Sequence, residues 1–154
     1  MQNARNVDEI GTALVDMVGF FASPQGDEAL LREADVDIDR ALFPLLIRLA
    51  RAGRLNVADL AAQVGRDYTT VSRQLAKLES LHLISREDGA GDRRTRLASL
   101  TAAGEAAVRA IIAARRRLLS KVLICWSAAD LAALAKLTLR FADELHLQAK
   151  RGRG

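Results

Sequence analysis

The chain has 154 residues, half of them apolar, a net charge of +4 and a single cysteine. This length is typical of one domain with a substantial core, and one cysteine excludes an intrachain disulfide framework and a paired-cysteine redox or metal motif. The sequence contains no apolar run of membrane-spanning length and does not open with a secretion signal, so we expect a cytoplasmic protein that makes no membrane contact.

Charge is distributed unevenly along the chain. Residues 1–50 carry four arginines against nine acids, a net charge of −5, whereas residues 51–154 have a net charge of +9. Such asymmetry predicts a polyanionic partner for the basic part. The alternative is a solvated surface whose charge bias has no function.

The first third of the chain predicts helices. Apolar residues recur at helical spacing from Asn6 to Phe21, and the Ser-Pro-Gln-Gly stretch at 23–26 ends that helix. The acidic segment Glu28–Asp39 is expected to hold a short extra helix. Leu42–Ala50 is dense in apolar residues and predicts a buried helix, which Pro44 either starts or kinks.

Two short helices follow in close succession. Asn56 can cap a helix over Val57–Val64, Gly65 interrupts the pattern, and Asp67 can cap a second helix from Tyr68 to about Leu81. The connection around Gly65 has the length of a helix-turn-helix. The second helix has one apolar stripe, formed by Val71, Leu75, Leu78 and Leu81.

A basic hairpin comes next. Two strands, Leu83–Glu87 and Arg93–Ala98, are predicted on either side of an Asp-Gly turn. A helix-turn-helix followed directly by such a hairpin is typical of a winged helix. The predicted fold class is therefore mainly α with a small β-hairpin wing. We divide this single structural domain into an N-terminal dimerisation helix and linker (1–36), a winged helix-turn-helix lobe (37–104) and C-terminal dimerisation helices (105–154).

The last two helices are predicted from their caps. Thr101 caps a long helix that reaches about Cys125, and Ser127 with Asp130 forms a capping-box-like start for the final helix. The apolar stripes of the first helix and of these two have no second domain to cover them. Burial against a second copy of the chain would cover them, so we predict a two-fold homodimer.

The polar side of the second short helix (68–81) suits double-stranded DNA. Arginine can bind guanine bidentately, glutamine can bind adenine in the same way, and threonine can contact a thymine methyl group. Serine, threonine and lysine can bind phosphates, and the free amides at the helix start suit one more phosphate. An ordinary polar helix face is the alternative. The candidate DNA-binding residues here are Thr69, Thr70, Ser72, Arg73, Gln74 and Lys77.

The wing, residues 87–96, would add arginines beside the helix. Arginine at a wing tip can enter the narrow minor groove, where the potential is most negative. We expect Asp92 to orient Arg94 through a bidentate pair. The alternative is an ordinary surface ion pair with little effect on stability. The candidate DNA-binding residues of the hairpin are Arg86, Asp92, Arg93, Arg94 and Arg96.

A signature links the wing to the long helix: Asp-x-Arg, five residues, then Leu-Thr-x-x-Gly, present as Asp92, Arg94, Leu100, Thr101 and Gly104. On this signature the chain resembles the MarR family of bacterial winged-helix transcription regulators, from about Ile38 to the C-terminus. The resemblance implies a homodimer on a pseudo-palindromic DNA operator, usually as a repressor, with residues 69–77 in the major groove and Arg94 in the minor groove. The acidic segment Glu28–Asp39 is longer than the family pattern leads us to expect.

The resemblance also implies a small aromatic or phenolic ligand, bound between the dimer helices and the DNA-binding lobe, that releases the DNA. Candidate wall residues are apolar, and plain core packing is the alternative for each of them. These residues are Phe20, Phe21, Phe43 and Leu46.

Other classes of function have less support. His82 and His146 lie in no catalytic motif, so we predict no enzyme and no catalytic residue. The histidine and cysteine spacing predicts no metal site, and no cofactor is expected. The remaining alternatives are a winged helix that binds proteins only and a redox- or metal-responsive regulator. The family's peroxide sensors carry a reactive cysteine in the N-terminal helix, whereas Cys125 lies at the far end of the long helix.

Overall fold

The computed structural model describes residues 2–89 and 92–151, except the side chains of residues 89, 92–95, 146, 149 and 150. The chain forms two compact units, Met1–Arg115 and Arg116–Gly154. Along the chain the elements are α1 (Gln2–Phe21), α2 (Pro24–Ala34), a 3-10 turn (Arg40–Leu42), α3 (Phe43–Ala52), β1 (Arg54–Leu55), α4 (Val57–Val64), α5 (Tyr68–Ser80), β2 (Ile84–Gly89), β3 (Asp92–Leu100), α6 (Ala102–Val122) and α7 (Ala128–Arg151). The predicted class, mainly α with a small β wing, is confirmed.

The stretch at residues 23–26 ends one helix and begins the next. The Ser23 hydroxyl donates to the carbonyl of Phe20 (2.8 Å) and accepts from the N–H of Gly26 (3.0 Å), so it caps α2. Pro24 occupies the first turn of α2, where its missing N–H leaves no hydrogen bond unmade. The extra helix of the acidic segment therefore exists, but it begins at Pro24, four residues before the predicted segment.

Helix α3 begins directly after the 3-10 turn, whose cap is the Asp39 carboxylate, an acceptor for the N–H of Ala41 (2.8 Å). Pro44 lies in the first turn of α3, so it starts the helix and does not kink it. Leu45, Leu46 and Leu49 are fully buried, as the apolar run predicted.

The helix-turn-helix has the predicted caps. The Asn56 side chain accepts from the N–H of Asp59 (2.7 Å) and caps α4, which ends at Gly65 in the left-handed region (φ 65°). The Asp67 side chain accepts from the N–H of Thr70 (2.8 Å) and caps α5. Helix α5 ends at Ser80, so Leu81 leaves the predicted apolar stripe and is exposed.

The sheet has three antiparallel strands in the order β1-β3-β2. The hairpin pairs Ile84 with Leu100 and Arg86 with Ala98, and β1 adds its two residues to the other edge of β3. The sequence did not predict β1, because two residues are too few to show an alternating pattern. Ile84 and Ala98 are buried and join the sheet to the hydrophobic core.

The core lies in the winged-helix part of the first unit, between α3, α4, α5, the sheet and α6. Its buried members are Leu42, Leu45, Leu46, Leu49, Val57, Leu60, Ala61, Val71, Leu75, Leu78, Ile84, Ala98 and Val108. Helix α5 therefore packs against the core through one face only, and its opposite face is accessible to solvent or a partner.

Helix α6 begins in close contact with the residues that precede β2. The Thr101 hydroxyl donates to the carbonyl of His82 (2.7 Å) and accepts from the N–H of Gly104 (3.1 Å). A Cβ atom on Gly104 would overlap the carbonyl oxygen of Leu83, so this approach requires glycine. The Leu-Thr-x-x-Gly signature therefore fixes the junction between the wing and α6.

The two terminal helices have apolar side chains that remain exposed. The Ser127 hydroxyl accepts from the N–H of Asp130 (3.0 Å) and donates to its carboxylate (2.6 Å), the predicted cap of α7. None of the described side chains of α1 or α7 is fully buried. Within the described residues, none of the helices is both long enough and apolar enough for a membrane span.

Candidate nucleic-acid interface

Helix α5 has two chemically distinct faces. Val71, Leu75 and Leu78 have no exposed surface, because they fill the core between α3, α4 and the sheet. The opposite face exposes a stripe of residues at i, i+4 and i+8, namely Thr69, Arg73 and Lys77. Thr70, Ser72 and Gln74 lie on the flanks and are half-buried. All six candidates on α5 thus lie away from the apolar stripe.

Asp67 and Thr70 form a closed pair at the start of α5. The Thr70 hydroxyl donates to one Asp67 carboxylate oxygen (2.6 Å), and the Thr70 N–H donates to the other (2.8 Å). The hydrogen bond from the Thr70 hydroxyl, followed by that from its N–H, lowers the pKa of Asp67 below its ordinary 3.8. The carboxylate is thus anionic at neutral pH. Because it already occupies one of the amides at this helix start, it disfavours the phosphate that we expected there.

Gln74 is tied to a residue that the sequence analysis did not single out. Arg66, in the turn between α4 and α5, donates through Nη1 to the side-chain oxygen of Gln74 (2.9 Å) and to the carbonyl of Ala41 (2.6 Å). Both contacts are partly buried. The partner Ala41 lies 25 residues earlier, so no local spacing in the sequence could have indicated this arrangement.

Ion pairs cross the wing between its strands. Arg96 of β3 lies 3.6 Å from Asp88 of β2, and Arg54 of β1 lies 3.7 Å from Glu87. All four side chains are about half exposed or more, so each pair contributes well under about 1 kcal/mol. Each pair places an acid beside an arginine of the sheet. The predicted Asp92–Arg94 pair and the side chain of Arg93 lie outside the described residues.

Arg86 differs from the other basic candidates because it is half-buried. Strand alternation places it on the same face of β2 as the buried Ile84, opposite Ala98 of β3. Its Nε atom is enclosed and has no hydrogen-bond partner among the described residues. Arg86 therefore lies on the core-facing side of the wing and not on its solvent-exposed face.

The four candidate ligand residues have different environments. Leu46 is fully buried in the core, Phe43 is half-buried, and Phe20 and Phe21 are exposed with their ring centroids 5.4 Å apart. A surface groove of about 370 Å³ in the first unit is lined by none of these four residues. Its lining comes from residues 34–38, from Leu81 and Leu83, and from three alanines of α6. The ligand site stays a prediction.

Comparison with known proteins identifies the architecture. A family model described as HVO_A0114 matches residues 42–98, which include the helix-turn-helix and the wing. No curated protein matches the chain significantly. Among solved structures, a MarR family protein from Bacillus stearothermophilus is similar with a TM-score of 0.78 and 21% identity, over 93% of this chain and 97% of that one.

Two further solved structures match at 25% identity. RV1404 from Mycobacterium tuberculosis has a TM-score of 0.68 and covers 89% of this chain and 90% of its own. A probable transcriptional regulator from Pseudomonas aeruginosa has a TM-score of 0.56 and covers 76% of this chain and 89% of its own. The resemblance that the wing signature indicated is therefore confirmed for the architecture: this chain has the winged-helix fold of the MarR family.

Proposed function

We propose that the protein is a DNA-binding transcriptional regulator that acts as a homodimer on a pseudo-palindromic operator, with α5 in the major groove and the wing in the minor groove. The observation that supports this most is the exposed Thr69, Arg73 and Lys77 stripe opposite the buried face of α5. An α-helix fits the major groove, and this stripe offers donors for base edges and for phosphates. The similar protein from Pseudomonas aeruginosa is itself described as a probable transcriptional regulator.

The proposed roles follow from side-chain chemistry. Arg73 would bind guanine, and Lys77 would bind a phosphate near the end of α5. Arg94, together with Arg93 and Arg96, would bind at the minor groove, where a narrow groove concentrates negative potential. In the described part of the wing Asp88 lies 3.6 Å from Arg96, and we expect Asp92 to orient Arg94 through a bidentate pair.

Dimer formation is supported by the exposed apolar side chains of the terminal helices. On α1 these include Val7, Ile10, Met17, Val18 and Phe21, and on α7 they include Leu134, Leu137, Leu139, Phe141 and Leu145. Exposed apolar surface of this extent is unusual on a monomeric protein. A two-fold dimer would bury it and would place two α5 helices on successive turns of one DNA face. Sedimentation equilibrium would measure the oligomeric state, and a protein that stays monomeric at micromolar concentration would contradict the proposed dimer.

DNA binding is tested by selecting duplexes from a random pool and titrating the best of them by fluorescence anisotropy at several salt concentrations. With roughly six phosphate contacts or more, affinity should fall about a thousandfold between about 50 and about 200 mM salt. Lys77→Ala should weaken binding to every sequence alike and reduce the salt slope by about one. Arg109→Ala is the matched control, since Arg109 is an exposed arginine on α6 that pairs with Glu105.

The wing is tested separately. Arg94→Ala should weaken operator binding severely and hardly change the melting temperature, because the proposed role of this side chain is in binding and not in the core. An unchanged affinity would remove the wing from the proposed mechanism. A duplex affinity that does not respond to salt would favour the alternative function, a winged helix that binds proteins only.

Repression and ligand release complete the proposal, and they rest on the family resemblance. A reporter gene placed behind the selected operator should be silenced by the protein. Small aromatic and phenolic compounds can then be screened for release of the labelled duplex. A reporter that is activated on binding would replace the repressor role with that of an activator.

A further inference from the structure

Arg66 holds Gln74 by a contact that changes what Gln74 can recognise. This inference rests on the proposed function, because it concerns how α5 would read a base in the major groove. One guanidinium nitrogen, Nη1, donates to the side-chain oxygen of Gln74 (2.9 Å) and to the carbonyl of Ala41 (2.6 Å). Arg66 thus connects the turn before α5, the segment before α3 and the middle of the helix that carries the candidate reading residues.

The orientation of the Gln74 amide is fixed by chemistry. A guanidinium group has five N–H donors and no acceptor, so the Gln74 atom that faces Arg66 is the carbonyl oxygen Oε1. The amide cannot be flipped without placing two donors against each other. The second acceptor, the Ala41 carbonyl, also binds the guanidinium, and both bonds are partly buried. Hydrogen bonds from a charged donor are stronger than those between neutral groups.

What remains for a partner is the amide nitrogen of Gln74. Its two N–H groups have no acceptor among the residues that the structure describes, and the side chain lies one turn after Thr70 on the half-buried flank beside the exposed stripe. A glutamine that binds adenine bidentately needs both its oxygen, for the N6 amino group, and its nitrogen, for N7. The bond to Arg66 is partly buried and takes one of the two lone pairs of Oε1, so it turns this oxygen toward the protein and disfavours that mode.

We infer that Arg66 is a positioning residue that engages the oxygen of Gln74 and leaves its amide N–H groups for the base, so that Gln74 selects a base with a keto acceptor in the major groove, guanine or thymine, over adenine. Guanine presents O6 and N7 and thymine presents O4, all of them acceptors for the free N–H groups. Adenine offers N7 to one of these N–H groups, but its N6 amino group is itself a donor and gains no acceptor from Gln74, so adenine is the poorer partner. This inference differs from the expectation, based on side-chain chemistry alone, that Gln74 can bind adenine bidentately.

The test uses the full-length protein and its selected operator. Every operator position is replaced by each of the four base pairs, and the affinities of wild type and Gln74→Ala are compared. We call the operator position at which Gln74→Ala removes the base preference of the wild type the Gln74 position. There the wild type should prefer guanine or thymine over adenine by about fivefold or more, the discrimination of a good direct contact.

Two variants then separate the roles of the two residues. Arg66→Met removes the donor, frees Oε1, and should move the preference at that position toward adenine. The measured quantity is the ratio of the affinities for two duplexes that differ at this position. The charge lost with Arg66 weakens binding to both duplexes alike, so its effect cancels in this ratio. Gln74→Glu retains the contact with Arg66 and replaces the free donor by an acceptor, so it should favour cytosine or adenine, whose amino groups donate. This second variant keeps the test valid if Arg66→Met fails to fold.

Several results would overturn the inference. These are a wild-type preference for adenine at the Gln74 position, no position at which Gln74→Ala removes a preference, or an Arg66→Met protein that folds and keeps the wild-type preference. A Gln74→Glu protein that still prefers guanine or thymine would do the same. All four results would be compatible with the proposed DNA binding. Absence of salt-dependent duplex binding by the wild type would instead remove the proposed function, and this inference with it.

Discussion

Gly104→Ala tests whether the Leu-Thr-x-x-Gly signature is a packing requirement. Gly104 is buried in the first turn of α6, and a Cβ atom added there would overlap the carbonyl oxygen of Leu83, with the Leu83 carbonyl carbon at 3.0 Å and Leu100 Cδ2 at 3.3 Å. The nearest obstacle is backbone, which cannot rotate away. The start of α6 and the segment before β2 must therefore move apart.

The size of the effect follows from what that movement breaks. Overpacking in a close-packed interior costs about 1–3 kcal/mol. Thr101 ties the same junction through its hydroxyl to the His82 carbonyl (2.7 Å) and through its N–H to the Leu83 carbonyl (3.1 Å), and each such bond contributes about 1 kcal/mol. The higher helix propensity of alanine offsets this loss of stability by about 1 kcal/mol. The net loss should be about 2–3 kcal/mol, or about 5–10 °C in melting temperature.

The matched control is Gly19→Ala, since Gly19 lies within α1, a Cβ atom there meets nothing within 4 Å, and helical spacing places it away from the apolar stripe of α1. It should stabilise the protein by up to about 1 kcal/mol through helix propensity. Both variants are compared with wild type by thermal and urea unfolding at one protomer concentration, because dimer formation couples stability to concentration. If Gly104→Ala is as stable as Gly19→Ala, the packing argument for the signature glycine is refuted.

Two further predictions concern the caps of the helix-turn-helix. Asn56→Ala should lower the free energy of unfolding by about 1 kcal/mol, measured by urea denaturation, because the N–H of Asp59 loses its acceptor at 2.7 Å; an unchanged midpoint would show that the cap is dispensable. Asp67 has a folded-state pKa below 3.8, so its contribution is fully present above about pH 4 and is lost as the pH falls through the folded-state value. The stability difference between wild type and Asp67→Asn should therefore be constant near neutral pH and shrink in acid, and a difference independent of pH would contradict the lowered pKa.

Features set by neighbouring residues could be predicted from the sequence. Asn56, Asp67 and Ser127 each cap a helix by a hydrogen bond to the residue three positions later, and all three caps were predicted. A cap is recognisable because its donor and acceptor are close in the chain. At Ser23 the same local chemistry was read only as a helix end, because a Ser-Pro stretch with glycine two residues later is typical both of a turn and of a new helix start.

Features set by distant residues could not be predicted. Strand β1 exists because Arg54 and Leu55 pair with Ser99 and Ala98, more than 40 positions later. The apolar alternation that identifies a strand needs more than two residues. The half-buried position of Arg86 likewise depends on its register opposite Ala98, whereas composition alone placed it with the exposed arginines of the wing.

The polar face of α5 shows the same distinction at the level of single atoms. The sequence predicted which side chains leave the core, because helical periodicity separates Arg73 and Lys77 from the buried Val71 and Leu75. It could not predict which hydrogen-bonding groups of those side chains are already used within the protein. Arg66 occupies the oxygen of Gln74, and Asp67 occupies the hydroxyl proton of Thr70. For two of the six polar candidates on α5, Thr70 and Gln74, residues of the preceding turn therefore determine which donors and acceptors remain available to a partner. If α5 binds DNA as proposed, a change in that turn should alter base preference while every residue of the helix itself stays the same.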